Sequence, residues 1–223
     1  MISKEGQFIF IHNFKTGGTS IEKKLGHFEE LARDVQDHRT LRDIELLTRR
    51  DKHLRTAAYC LKKGKFGKIA GHLQQAIHPP LTRHEYDTFY KFTFVRNSWA
   101  RIYSWYANVM KDDIHKRKNK IQSNELSFEA FLKHHINHET FSQLHFITDC
   151  HGEVPMDFIG RFERLQADFD IVCKELGVED STLPKLLVRK YNHYTDGYTD
   201  TTKDLVYQLY KKEIDYFGFE FGE

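Results

Sequence analysis

Residues 8–21 read FIFIHNFKTGGTSI. An apolar run stops at His12-Asn13, a lysine, two glycines and three hydroxyl residues follow over 15–20, and apolar spacing resumes at Ile21. The nearly continuous apolar run Phe8 to His12 reads as a strand buried on both faces. Ile21, Leu25, Phe28 and Leu31, three and four residues apart, read as a helix over 19–31. Strand, glycine turn, helix is the layout of an anion cradle. Gly17 and Gly18 open backbone conformations that let N–H groups converge. Lys15 adds a full charge, and Thr16, Thr19 and Ser20 add hydroxyl donors. An ordinary tight turn with an N-cap would use fewer of these residues, so the stretch points to an oxyanion at the carboxyl end of a central strand. It is not a Walker A loop, because Lys15-Thr16 precedes Gly17-Gly18 instead of following them.

Three further short apolar runs, 68–71, 91–95 and 158–160, read as strands. Helical patterns lie between and after them. Trp99 to Met110 is amphipathic, Ser127 caps a helix through His134 with Leu126 and Phe131 as a hydrophobic staple, and Leu165 to Leu176 stops at Gly177. Thr202 to Phe217, with Leu205, Leu209 and Ile214 on one face, stops at Gly218. Strands alternating with helices predict an α/β fold with three αβα layers around a central parallel sheet. Two polar stretches, 38–67 and the charge run KDDIHKRKNK (111–120), read as surface insertions beside a site.

The second informative stretch is KFTFVRNSWARIYSWY, residues 91–106. Arg96 follows a strand at once, on the same sheet edge as Lys15. Ser104 lies eight residues later, a little over two helical turns on. Arg96 as a fork and Ser104 as a donor can hold a second phosphate; alone, either also fits a structural role.

The 223 residues, 14 % aromatic and 30 % charged, suit a single domain over 1–223 with a sizeable core. A formal net charge of +2 does not imply nucleic acid. Cys60, Cys150 and Cys173 are odd in number and widely spaced, so neither a disulfide framework nor a zinc site is indicated. The apolar run near the N-terminus is short for a signal peptide and no stretch is long enough to span a membrane, so a cytoplasmic protein is expected. His134, His135 and His138 read as the solvated face of one helix, too few for a metal site.

Together, FIHNFKTGGTSI (10–21) and FTFVRNSWARIYSWY (92–106) resemble the 5′-phosphosulfate loop and the 3′-phosphate segment of the sulfotransferases. The branch that includes heparan sulfate 2-O-sulfotransferases and chondroitin or dermatan sulfotransferases is the most similar. Gly71-His72, FIGRFERLQADF (158–169), HYTDGY (193–198) and DYFGFEF (215–221) extend the resemblance to the C-terminus. Phe14 and Ser98 stand where the family's motifs usually have proline, which bears on loop rigidity and not on ligand side chains.

The resemblance implies a P-loop nucleotide hydrolase-like fold and transfer of a sulfuryl group from 3′-phosphoadenosine 5′-phosphosulfate, without metal, to a hydroxyl, most often on a glycan or glycoconjugate. It implies that Lys15, Thr16, Gly17, Gly18, Thr19 and Ser20 hold the phosphosulfate and that Arg96 and Ser104 hold the 3′-phosphate. Lys15 and His72 are the implied catalytic residues, His72 as general base at the end of the strand expected over 68–71. The basic stretches 49–68 and 111–120, with exposed aromatics such as Trp105, are candidates to line a groove for an anionic glycan. Two other readings stand beside this one: a nucleotide-dependent kinase or phosphotransferase, which should carry a Walker A lysine and a metal-holding acid, and a catalytically silent nucleotide-binding protein.

Overall fold

The computed structural model describes residues 1–26, 36–122, 125–184 and 193–223. A four-stranded sheet runs in the order β1 (Ile2–Ser3), β2 (Phe8–Ile11), β3 (Tyr90–Val95) and β4 (Phe158–Arg161). Twelve α-helices surround it among the described residues: α1 (Gly18–Lys24), α2 (Leu41–Glu45), α3 (Arg50–Lys62), α4 (Ile69–Ile77), α5 (Arg83–Thr88), α6 (Ser98–Lys111), α7 (Asp113–Lys118), α8 (Phe128–His134), α9 (His138–Phe141), α10 (Gln143–Ile147), α11 (Leu165–Leu176) and α12 (Asp200–Phe217).

β1 is antiparallel at the edge, and β2, β3 and β4 are parallel. Ile11 pairs with Thr93 and Val95 with Arg161. The chain therefore leaves all three parallel strands at one edge, at His12, Arg96 and Phe162. Alternation along the strands feeds two cores. Ile9, Ile11 and Val95 pack toward Ile102 of α6 and Val206 of α12, while Phe8, Phe10, Phe92 and Phe94 pack toward Ile21 of α1 and Phe169 and Val172 of α11. Both sheet faces are covered by helices, giving the three expected layers around a mixed sheet.

The sequence pattern places several boundaries well. The Asn97 side chain caps α6 by accepting from the Trp99 and Ala100 N–H groups. Ser127 caps α8 through Ala130 N, and Leu126 packs on the same core as Phe131. Gly177 and Gly218 close α11 and α12 in the left-handed conformation, at φ 68° and 64°.

Other expectations are corrected. Residues 68–71 are not a strand: they finish a 3₁₀ turn (Phe66–Lys68) and open α4. Ile69, Leu73, Ala76 and Ile77 continue a helical spacing that a four-residue window hides. The buried face of α12 is Val206, Tyr210, Glu213, Ile214 and Phe217; of the expected stripe Ile214 is buried, Leu205 packs against the core and Leu209 is exposed. α1 ends at Lys24, and Phe28 and Leu31 lie outside the described residues. The 38–67 stretch is helical, with Leu41 and Ile44 fully buried.

Gly160 faces Phe94 across the β3–β4 ladder, and a Cβ there would meet the fully buried ring at 2.4 Å. Gly160→Ala should therefore lower stability by about 1–3 kcal/mol, read as a drop in the urea midpoint; an unchanged midpoint would mean that this packing is looser than described.

Candidate active site

The β2–α1 loop is pinned before it turns. Asn13 is fully buried, and its Nδ2 donates to Thr93 Oγ1 at 3.1 Å and to the Phe94 carbonyl at 3.2 Å. Thr93 Oγ1 donates in turn to the Ile11 carbonyl at 2.8 Å. Thr16 Oγ1 donates to the Asn13 carbonyl at 3.0 Å, closing the loop on itself. Lys15 takes φ 66°, a left-handed conformation uncommon outside glycine, and Gly17 takes φ 82°. No side chain caps α1 at Gly17, so Gly18 N and Thr19 N receive no cap, while Ser20 N donates to the Gly17 carbonyl at 3.0 Å.

The floor under this loop is a histidine. A Cβ on Gly18 would meet the His12 ring between 2.1 and 2.6 Å, and one on Gly17 would meet Leu165 at 2.7 Å. Both glycines are needed for close approach, and the loop has the shape of an anion cradle. His12 Nδ1 lies 3.1 Å from Glu22 Oε1, an ion-pair distance and not an aligned hydrogen bond, with both side chains buried. Glu22 Oε1 also accepts from Asp37 N at 3.1 Å. Burial alone would raise the Glu22 carboxyl, but the His12 ring and the Asp37 N–H outweigh it and hold it below the usual range. His38 covers the His12 ring at 4.3 Å between centroids, and its Nδ1 lies 3.1 Å from the His12 carbonyl. Burial, then the adjacent His12, push the His38 pKa down to about 4. Thr19 Oγ1 accepts from Gln36 Nε2 at 2.8 Å, and Ser20 is buried.

The β3–α6 turn delivers Arg96 to the same edge. Its Nη1 donates to the Lys15 carbonyl at 3.4 Å, and the guanidinium stacks on Phe162 at 4.1 Å. Gln143 clamps its backbone: Oε1 accepts from Arg96 N at 2.8 Å and Nε2 donates to Arg96 O at 3.0 Å. Gln143 is held by Glu213, whose carboxylate also accepts from Ser98, Arg101 and Ser142. Arg101 and Glu213 are both essentially fully buried, so this is an ion pair wrapped in hydrogen bonds.

Arg96 and Ser104 line one cavity of about 400 Å³, together with Tyr103, Phe162, His193 and Tyr194. Two carboxylates share its wall, each engaged. Glu163 accepts from Asn97 N at 2.9 Å, and Glu223 accepts from Arg161 at 3.3 Å. Arg96 thus links the two segments, reaching the Lys15 carbonyl on one side and sharing the cavity with Ser104 on the other. A profile of the sulfotransferase family matches residues 1–220. The chain belongs to the sulfotransferase family. Comparison with curated proteins and with solved structures returned no match.

The two residues standing in place of proline are held by their side chains. Phe14 lies among His38, Phe141 and Phe146 at 4.1–6.1 Å, and Ser98 Oγ donates to Glu213 at 2.6 Å. His72 is not at a strand end. It sits in α4, its Nδ1 is buried without a hydrogen-bond partner, and among the described residues no hydrogen bond or ion pair joins it to residues 12–20. Trp105 is half-buried between Phe14, Phe141 and His115, not an exposed platform. His134 ends α8 and His138 opens α9, so they share no helix; His138 bridges Tyr210 OH at 2.8 Å and the Leu132 carbonyl at 2.6 Å. Glu22 and Glu213 are not anticipated from sequence, though each has a signal there: a carboxylate on a helix face that is otherwise buried.

The His38 shift has a sign. Its folded pKa is depressed, so the unfolded chain binds the extra proton between the ordinary value of 6.5 and about 4. Stability should fall as pH drops through that window, by about 2–3 kcal/mol. His38→Gln should flatten this part of a denaturation-midpoint profile; an unaltered acid limb would remove His38 as its cause.

Proposed function

We propose that this sulfotransferase takes a sulfuryl group from 3′-phosphoadenosine 5′-phosphosulfate and delivers it to a hydroxyl of a carbohydrate. The observation that carries the proposal is the contact of the two motifs at one sheet edge, where Arg96 reaches the Lys15 carbonyl and shares a cavity with Ser104. One anion cradle beside one arginine-lined cavity suits a nucleotide phosphorylated at both ends of its ribose. The carbohydrate acceptor rests on the resemblance to glycan-modifying members. A second cavity of about 400 Å³ carries Arg49, Lys52 and Arg55, with Asp51 paired to Arg49 at 3.0 Å and to Arg55 at 3.7 Å, and this net positive wall suits an acidic sugar. A single family profile over 1–220 supports one domain.

Each residue has a physical task. The glycine loop and the Thr19 and Ser20 hydroxyls hold the 5′-phosphosulfate in line with the acceptor. Lys15 offsets the charge that grows on the bridging oxygen as the S–O bond breaks. Arg96 and Ser104 hold the 3′-phosphate and so discriminate against nucleotides lacking it. The acceptor oxygen forms the new bond to sulfur, and its proton passes to a base. We assign that base to His72 on its match to the family alone. The assignment requires His72 to face the loop edge when acceptor binds.

Three variants separate these roles in a labelled-sulfate transfer assay. Lys15→Ala should lower kcat about 10²–10³-fold. Arg96→Ala should weaken the nucleotide by about 1.5–3 kcal/mol and erase preference for the 3′-phosphate; retained preference would move that site elsewhere. His72→Ala should cost about 10²–10⁴ in kcat with little change in donor KM, and normal turnover would exclude it as base.

A further inference from the structure

We propose that the α3–α4 hairpin docks this protein on an anionic phospholipid surface. The hairpin leaves the body after a 3₁₀ turn (Leu46–Thr48) and returns at Pro79. Its two helices pack chiefly on each other. His53, Ala57 and Cys60 of α3 and Ala76 of α4 form the buried faces. Beside those faces runs a second apolar set that stays exposed among the described residues. On α3 it is Leu54, Ala58 and Leu61, spaced i, i+4, i+7; on α4 it is Leu73 and Ile77, spaced i, i+4.

Both stripes are rotated the same way from the face that each helix buries. Two antiparallel helices with those faces turned together therefore present both stripes on one side of the pair. The connection adds Phe66. Leu54, Leu61, Phe66, Leu73 and Ile77 are 52 %, 59 %, 67 %, 43 % and 66 % exposed. A soluble domain rarely leaves such a contiguous apolar set open to water.

Charge decides the occupant. Residues 61–68 read LKKGKFGK, with Lys62, Lys63, Lys65 and Lys68 all exposed around Leu61 and Phe66, and no acidic residue among them. Exposed aliphatic and aromatic side chains ringed by lysines match an interface of acyl chains under anionic headgroups. A second copy of the chain would bring the same lysines against each other, and an acidic polysaccharide would leave the apolar stripe wet. No helix among the described residues is long and apolar enough to cross a membrane, and the contact proposed lies on the surface.

The test is sedimentation of the full chain with vesicles of phosphatidylcholine alone and of phosphatidylcholine with 30 mol % phosphatidylglycerol, as an order-of-magnitude charge density of about one lipid in three. The protein should bind the anionic vesicles and lose most binding on neutral ones. Lys62→Gln with Lys63→Gln and Lys65→Gln should weaken binding about a hundredfold, since each cation contributes roughly fivefold. Leu61→Ser with Phe66→Ser and Ile77→Ser should weaken it at least about tenfold. All six positions are exposed, and circular dichroism checks that each variant stays folded. Absence of binding to anionic vesicles would overturn the proposal. So would an apolar triple variant that binds like the parent, or a dimer in analytical ultracentrifugation that this variant dissolves.

Discussion

Everything at the candidate site hangs on the parallel pairing of β2 with β3 and on the amide that locks it at its end. Asn13 is the first residue beyond the β2 strand and its following histidine, and its side chain crosses to Thr93 and Phe94 of the neighbouring strand. This fixes where the chain turns. Once it turns there, Lys15 and the two glycines fall beside the residue that follows β3, which is Arg96. Two segments some eighty residues apart in sequence thus meet at one edge, because parallel strands deliver their following loops to the same side. An antiparallel partner would have sent Arg96 to the opposite end of the sheet.

Two buried carboxylates then hold the loops that the strands deliver. Glu22 sits under the first loop with His12, and Glu213 sits under the second with Arg101, Gln143 and Ser98. Burying a carboxylate is costly unless its oxygens are matched by donors, and Glu213 meets that condition with five hydrogen bonds. Such a network adds little net stability over an apolar core, but it accepts only one arrangement of its members. Here the fixed arrangement is the direction of the Arg96 backbone. Phe14 and Ser98 belong to the same logic. Without proline to set φ, each loop is held through the side chain, by an aromatic cage in one case and by Glu213 in the other.

Much of this was legible in the sequence where local pattern and chemistry agreed. The buried strands, read over 8–12 and 91–95 and found over 8–11 and 90–95, the helix after each, the glycine stops at Gly177 and Gly218, and the shared edge for Lys15 and Arg96 all follow from periodicity and turn residues. The errors arose where a short window was ambiguous. Lys68–Gly71 has strand-like composition, and only the continuation through Leu73 and Ile77 reveals a helix. That error carried His72 with it, since a strand end had placed it at the functional edge. On α12 Ile214 is buried and Leu205 packs on the core as read, but Leu209 was set on that face in place of the buried Glu213 and Tyr210. Tertiary pairings such as His138 with Tyr210, or His38 over His12, have no local signal, because the partners lie far apart along the chain or meet only through the turn of the loop.

The edge built by Lys15, Gly17, Gly18, Arg96 and Ser104 is proposed to recognise a nucleotide with phosphate at both its 3′ and 5′ positions. Calorimetric titration with 3′-phosphoadenosine 5′-phosphate, and separately with ATP, each with and without Mg²⁺, tests it directly. Tight, metal-independent binding of the bisphosphate, with ATP weaker by about tenfold or more, is the predicted result. Equal affinity for the two, or binding of ATP that depends on Mg²⁺, would contradict it.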